Sequence, residues 1–172
     1  LLHGQTGLAQ ETMDRARNQG QAVVVVLINS KPLVLPPCLG QAHAIIEAFN
    51  PGMQGGRAIA QALFGHINPS GKLTVSFPAH VGQQPVYYNQ VRGQHGKRYA
   101  DMDQDPVFAF GYGLSYTSFS LGLPRIPKAR WAPHETLEVE VEVRNSGDRP
   151  GSEVVQAYVE DLVTSATWAR KE

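Results

Sequence analysis

"NPGMQGGRAIAQALFGHINPSGKLTVSFP", residues 50–78, decides how the chain is to be read, because it passes from turn to helix to strand within one stretch. Asn50-Pro51-Gly52 has turn chemistry. Directly behind this turn, Ile59 and Leu63 stand four residues apart with Ala58 and Ala62 beside them. That spacing is one face of a helix, and Gly65 marks its end. "KLTVSF" (72–77) then reads as a further strand.

Upstream the same grammar continues. "HAIIEAFNPG" (43–52) predicts a short buried strand, and "LVL" (33–35) another, ended by Pro36-Pro37. "AVVVVLIN" (22–29) is β-branched and apolar on both faces, as for a strand covered on both sides. "GLAQETMDRARNQ" (7–19) has the spacing of a surface helix, with Leu8, Met13 and Ala16 on its apolar side and Gly20 as its stop. Strands alternating with helices predict an α/β fold, a parallel or mixed sheet with helices packed on it.

Past "FGYGLSYTSF" (110–119) the pattern changes to β. In "TLEVEVEVRNSG" (136–147), Leu137, Val139, Val141 and Val143 take one face and Glu138, Glu140 and Glu142 the other. This is the period of an antiparallel strand with one face in water. Asn145 to Asp148 form a turn, "EVVQAYVEDL" (153–162) reads as the next strand, and a weaker one lies near 119–126. Three strands cannot close a sandwich, so this second domain is expected to be incomplete. The chain also starts without Met and stops just after a strand-like run, which reads as a piece of a longer protein.

Composition narrows the classes of function. Hydrophobic residues make up 42% and charged residues 17%, which suits a soluble globular protein. Fifteen basic and fifteen acidic residues cancel, so neither nucleic acid nor a membrane is indicated as partner. The longest apolar run, 22–28, is too short to span a bilayer. Cys38 is the single cysteine, so an internal disulfide is impossible; after Pro36-Pro37 it reads as a small buried hydrophobe.

Candidate chemistry is sparse. Asp101, Asp103 and Asp105 resemble the start of a calcium loop, but Pro106 replaces the required glycine and Tyr112 the bidentate glutamate. The six histidines show no metal-ligand spacing, and His43 reads as structural; no metal or cofactor is predicted. No G-x-S-x-G elbow is present. Gly52, Gly55 and Gly56 before a helix fit either an anion cradle or a tight turn with close packing. Asn68-Pro69-Ser70 is no glycosylation acceptor. Among carboxylates, Glu11 and Asp14 lie on a helix and Glu47 in a strand, with nothing in their spacing to mark an acid/base pair.

Three stretches carry a resemblance: residues 50–78, "PVYYN" (85–89) and "FAFGYGLSYTSF" (108–119). In order and spacing they resemble glycoside hydrolase family 3, nearest its bacterial β-glucosidase branch. "VVVVLINSKPLVL" and "VEVRNSGDRPGSEVVQAYVED" fit the same family, so the likeness runs from about residue 5 to the end. The resemblance implies an α/β class fold: residues 1–115 as the C-terminal half of an α/β sandwich, and 116–172 as a hinge with the first strands of a fibronectin-type-III-like domain. "FGYGLSY" would be that hinge, with glycines for a tight turn and Tyr116 and Phe119 burying apolar area across the joint.

The implied activity is retaining hydrolysis of terminal β-linked sugars from an oligosaccharide or β-glycoside substrate. An Asp nucleophile would sit on an N-terminal barrel domain absent from this chain, and an acid/base Glu upstream of Leu1. No catalytic residue carries over onto these positions. Arg98 and Tyr99 resemble the family's Arg-Tyr before the hinge, which implies a loop at the substrate cleft; a surface loop tethered by one arginine fits them equally well. Family habit implies a periplasmic or secreted enzyme. A β-xylosidase or other exo-glycosidase of the family is the nearest alternative, and a non-catalytic carbohydrate-binding or interaction module the alternative from another class.

Overall fold

The computed structural model describes residues 3–89, 101–132, 134–160 and 170–171. The chain opens with α1 (His3–Asn18). Its core-facing stripe is Ala9, Met13 and Ala16, at i, i+4 and i+7. Leu8 stands five residues from Met13, off that face, and is 67% exposed, contrary to the sequence expectation. The helix stops where expected: Gly20 has φ +63°, and Gln21 N–H reaches back to the Ala16 carbonyl at 2.9 Å.

β1 (Val24–Leu27) and β2 (Ala44–Glu47) pair in parallel, Val25 opposite Ile45 and Leu27 opposite Glu47. Between them a 3-10 turn, Pro37–Gln41, buries Cys38 and Leu39. The core gathers Met13, Leu27, Cys38 and Leu39, with Val23, Val25, Leu35 and Ile45 packed against it. The apolar run therefore serves mainly one face. Val23, Val25 and Leu27 point inward, while Val24 is 45% and Ile28 64% exposed on the other side. Residues 33–35 form no strand: Pro32 and Pro36-Pro37 flank them without N–H donors, and Leu35 packs against the core instead.

α2 (Gly55–Leu63) forms as the spacing predicts, and Gly65 closes it at φ +71°. "KLTVSF" does not become a regular strand. Its backbone runs antiparallel to residues 107–112, with Phe77 bridging Phe108, Leu73 N–H reaching the Tyr112 carbonyl and Gly111 N–H the Leu73 carbonyl. Midway the ladder breaks, because Phe110 N–H goes to Ser76 Oγ at 3.1 Å and Gly111 turns to φ +78°.

Polar contacts tie this ribbon to the chain beyond residue 112. Asn68 Oδ1 accepts from Ser115 Oγ (2.9 Å) and Tyr116 N–H (2.8 Å), and Asn68 Nδ2 donates to the Pro150 carbonyl (3.0 Å). Lys72 Nζ donates to the Gly113 carbonyl at 2.7 Å and pairs with Glu153 at 2.8 Å, both side chains only 16% exposed. Hydrogen bonds thus hold this region together, while Phe119 is half-buried with its ring beside Gly151. Tyr116 is 42% exposed, and its hydroxyl donates to the Ala62 carbonyl at the end of α2.

Beyond the joint, β3 (Phe119–Leu121) pairs antiparallel with β4 (Val143–Asn145), and β5 (Val159–Glu160) with β6 (Arg170–Lys171). The long strand expected over 136–147 is reduced to β4 and a bridge between Glu140 and Arg125. "EVVQAYVEDL" likewise contributes only β5, and its last two residues lie outside the described ones. The alternation is real, but Leu137, Val139 and Val143 remain 43–51% exposed, because no layer covers them among the described residues. The whole is an α/β arrangement of small sheets with helices.

Two measurements check the joint. A Cβ added at Gly113 would lie 2.4 Å from the Gly71 carbonyl oxygen, so Gly113→Ala is expected to lower stability by about 1–3 kcal/mol in denaturant melts. Gly7→Ala, in open space within α1, is expected to raise it by roughly 0.5–1 kcal/mol. Lys72 holds the Glu153 carboxyl below its ordinary value of 4.5, first through their hydrogen bond. Its contribution is present above that value and lost as pH falls through the depressed one. Glu153→Gln should therefore lower the melting temperature at pH 7, and the difference from the parent should close on acidification.

Candidate functional site

Because β1 and β2 are parallel, their carboxyl ends lie at one edge, where sheets of this kind present ligand-binding groups. Asn29 follows β1 and Glu47 closes β2. Glu47 Oε1 accepts Phe49 N–H at 2.7 Å, and Asn29 Nδ2 donates to the Lys31 carbonyl at 2.7 Å. The other two oxygens, Glu47 Oε2 and Asn29 Oδ1, are buried without a hydrogen-bond partner. Burial raises the Glu47 carboxyl above 4.5, opposed by Phe49 N–H and by the neighbouring Asn29 side chain.

Phe49 adopts φ +45°, a left-handed conformation uncommon outside glycine and one that clusters at functional edges. Its ring meets Phe77 at 6.4 Å; Phe77 meets Phe108 edge-on at 6.4 Å, and Phe108 meets Tyr112 at 5.1 Å. A file of rings therefore runs from the carboxyl edge to the joint. Chemically, one carboxyl with a raised pKa can hold or release a proton. It does not by itself supply the two carboxyl groups that glycoside hydrolysis uses.

The other candidates are dispersed. Glu11 pairs with Arg15 at 2.6 Å and Asp14 takes the Gln10 amide, both on the exposed side of α1. Asp101, Asp103 and Asp105 are exposed, and the Asp103 and Asp105 backbone carbonyls accept from Gln83 Nε2. Cys38 is buried, as expected. His43 is exposed, and its Nδ1 accepts Val23 N–H at 3.1 Å. Gly55 is explained by packing, since a Cβ there would lie 2.5 Å from Pro51. Arg98 and Tyr99 lie outside the described residues. Asn29 was missed from the sequence; its signal was a polar residue directly behind an apolar strand, matched by Glu47 at the end of the next.

A family model described as the glycosyl hydrolase family 3 C-terminal domain matches residues 4–116. A β-xylosidase of Formosa agariphila is 42% identical over 158 residues, which is 90% of this chain and 22% of that protein. The periplasmic β-glucosidase of Salmonella typhimurium is 40% identical over 156 residues, 85% of this chain and 20% of its own. Among solved structures, a β-glucosidase involved in saponin metabolism from intestinal bacteria superposes with a TM-score of 0.87 at 45% identity, covering 98% of this chain and 25% of that one. The chain thus spans about a fifth to a quarter of the length of these relatives.

The carboxyl edge yields a pH prediction. A raised carboxyl pKa means the folded protein binds the proton more tightly, so stability falls as pH rises from 4.5 through the raised value. Glu47→Gln removes that loss. The variant is expected to melt higher than the parent at pH 7, with the advantage shrinking towards pH 4.5.

Proposed function

The chain belongs to glycosyl hydrolase family 3 through its C-terminal domain, and from this we propose that it is the C-terminal portion of a retaining, exo-acting β-glycosidase of the β-glucosidase type. The observation that carries this is the 45% identity to a solved β-glucosidase over 98% of the chain. A β-xylosidase is the second reading, favoured by the 42% identity to the Formosa protein. In either case the substrate is a β-glycoside or oligosaccharide cut at its terminal sugar. The division falls near residue 115: an α/β sandwich half before it, a hinge and the opening of a fibronectin-type-III-like domain after it. The family match ending at residue 116 supports that border.

Both catalytic carboxylates belong to other parts of the enzyme, the nucleophile to an N-terminal barrel domain that packs with this portion. Burial raises the Glu47 carboxyl, whereas Glu135 and Glu153 are held low by Lys128 and Lys72. An acid and a nucleophile need environments that push two carboxyl groups apart within about 5 Å. This portion contributes scaffold, cleft wall and joint, with Arg98 and Tyr99 near the sugar. A periplasmic or secreted location agrees with the Salmonella relative's name.

The test is hydrolysis of an aryl β-glucoside and an aryl β-xyloside by the full-length protein. Turnover is expected, faster on the glucoside; turnover of neither would overturn the assignment. Substituting Glu11, Glu47 or Asp101 by the amide should leave kcat within about tenfold. A loss of about a hundredfold or more from one of them would place acid–base chemistry within these 172 residues.

A further inference from the structure

At the opposite edge of the parallel strands, a cleft of about 370 Å³ opens between the end of α1, the start of β1 and the 3-10 turn. Its floor is apolar, with Met13 and Ala16 buried. Its rim carries Arg17, Gln21, Gln41 and His43, all exposed, and among the described residues no acidic side chain lines it.

An accounting of donors and acceptors gives the cleft a sign. The Ala16 carbonyl is taken by Gln21 N–H, the Arg17 carbonyl by Gly20 N–H, and the Val23 carbonyl by His43 N–H. Gln41 Oε1 accepts from Arg17 Nη2 at 2.8 Å, which leaves the Gln41 amide nitrogen as a donor. His43 Nδ1 accepts Val23 N–H, so its Nε2 carries the hydrogen. Arg17 keeps its remaining N–H groups. Apart from the Gln21 amide, the polar side chains of the rim offer donors, and their acceptors are spent. The negative end of the α1 dipole abuts the cleft and opposes an anion there, so the full charge of Arg17 has to outweigh it.

We propose that this cleft binds a small oxyanion, a carboxylate or phosphate group, held by the Arg17 guanidinium with the Gln41 amide and His43 Nε2–H. An arginine fork beside two neutral donors suits a planar or tetrahedral oxyanion, and charge-assisted bonds of this kind are the stronger ones. The site lies away from the Glu47 edge and is independent of the glycosidase reading.

The probe is inorganic phosphate, titrated calorimetrically into the full-length protein at pH 7, with potassium chloride at matched ionic strength as control. Saturable binding is expected with phosphate alone. Arg17→Gln should weaken it by about tenfold or more. Gln41→Glu keeps the acceptor that Arg17 needs but sets a carboxylate in the cleft, and should abolish binding without lowering the melting temperature. Phosphate heats no different from chloride would overturn the proposal, as would unchanged affinity in Gln41→Glu. Saturation by glucose but not by phosphate would overturn it too, since that would make the cleft a polyol site.

Discussion

The carboxamide of Asn68 holds three distant stretches of backbone at one point. It receives from Ser115 and Tyr116 and gives to Pro150, using both its oxygen and its nitrogen. No other uncharged side chain of similar size supplies an acceptor and a donor in that fixed geometry except glutamine, which is one methylene longer. The Lys72–Glu153 pair then closes beside it, close enough to the Gly113 carbonyl that Lys72 serves both. Breaking a mostly buried pair on one side is costly, so the register of these segments is fixed as a unit.

That arrangement recasts the role of the glycines around Tyr112. Gly111 is needed for its positive φ, whereas Gly113 is needed because the Gly71 backbone passes where a side chain would stand. The aromatic rings then fill the space around this crossing. Phe77 is the most enclosed of them, 2% exposed, and it touches both Phe49 and Phe108. Displacing that ring would disturb the strained Phe49 backbone and the joint together.

Helix α2 and the parallel strands were legible in the sequence because their signals are local: a four-residue apolar spacing, β-branched runs, and glycines at the stops. The stripe of α1 was misread by one residue, since Ala9 carries less hydrophobic weight than Leu8 yet lies on the right face. "KLTVSF" misled because its ladder is broken by Ser76 Oγ, a contact made with residues more than thirty positions away. The edge at Asn29 and Glu47 was half visible. Glu47 was read only as one of several carboxylates, placed in a strand, and pairing it with Asn29 requires the parallel register, which no local pattern specifies.

The reach of the Asn68 contact also bears on how the chain acquires its shape during synthesis. Its bond to Pro150 closes a separation of 82 residues. At about 5–20 residues per second, the ribosome takes roughly 4–16 s to deliver the second partner after the first. The α2 helix and the pairing of β1 with β2 need only nearby sequence and can settle within that interval. The joint therefore locks only after those elements, and until Pro150 emerges the Asn68 amide donor must be satisfied by water.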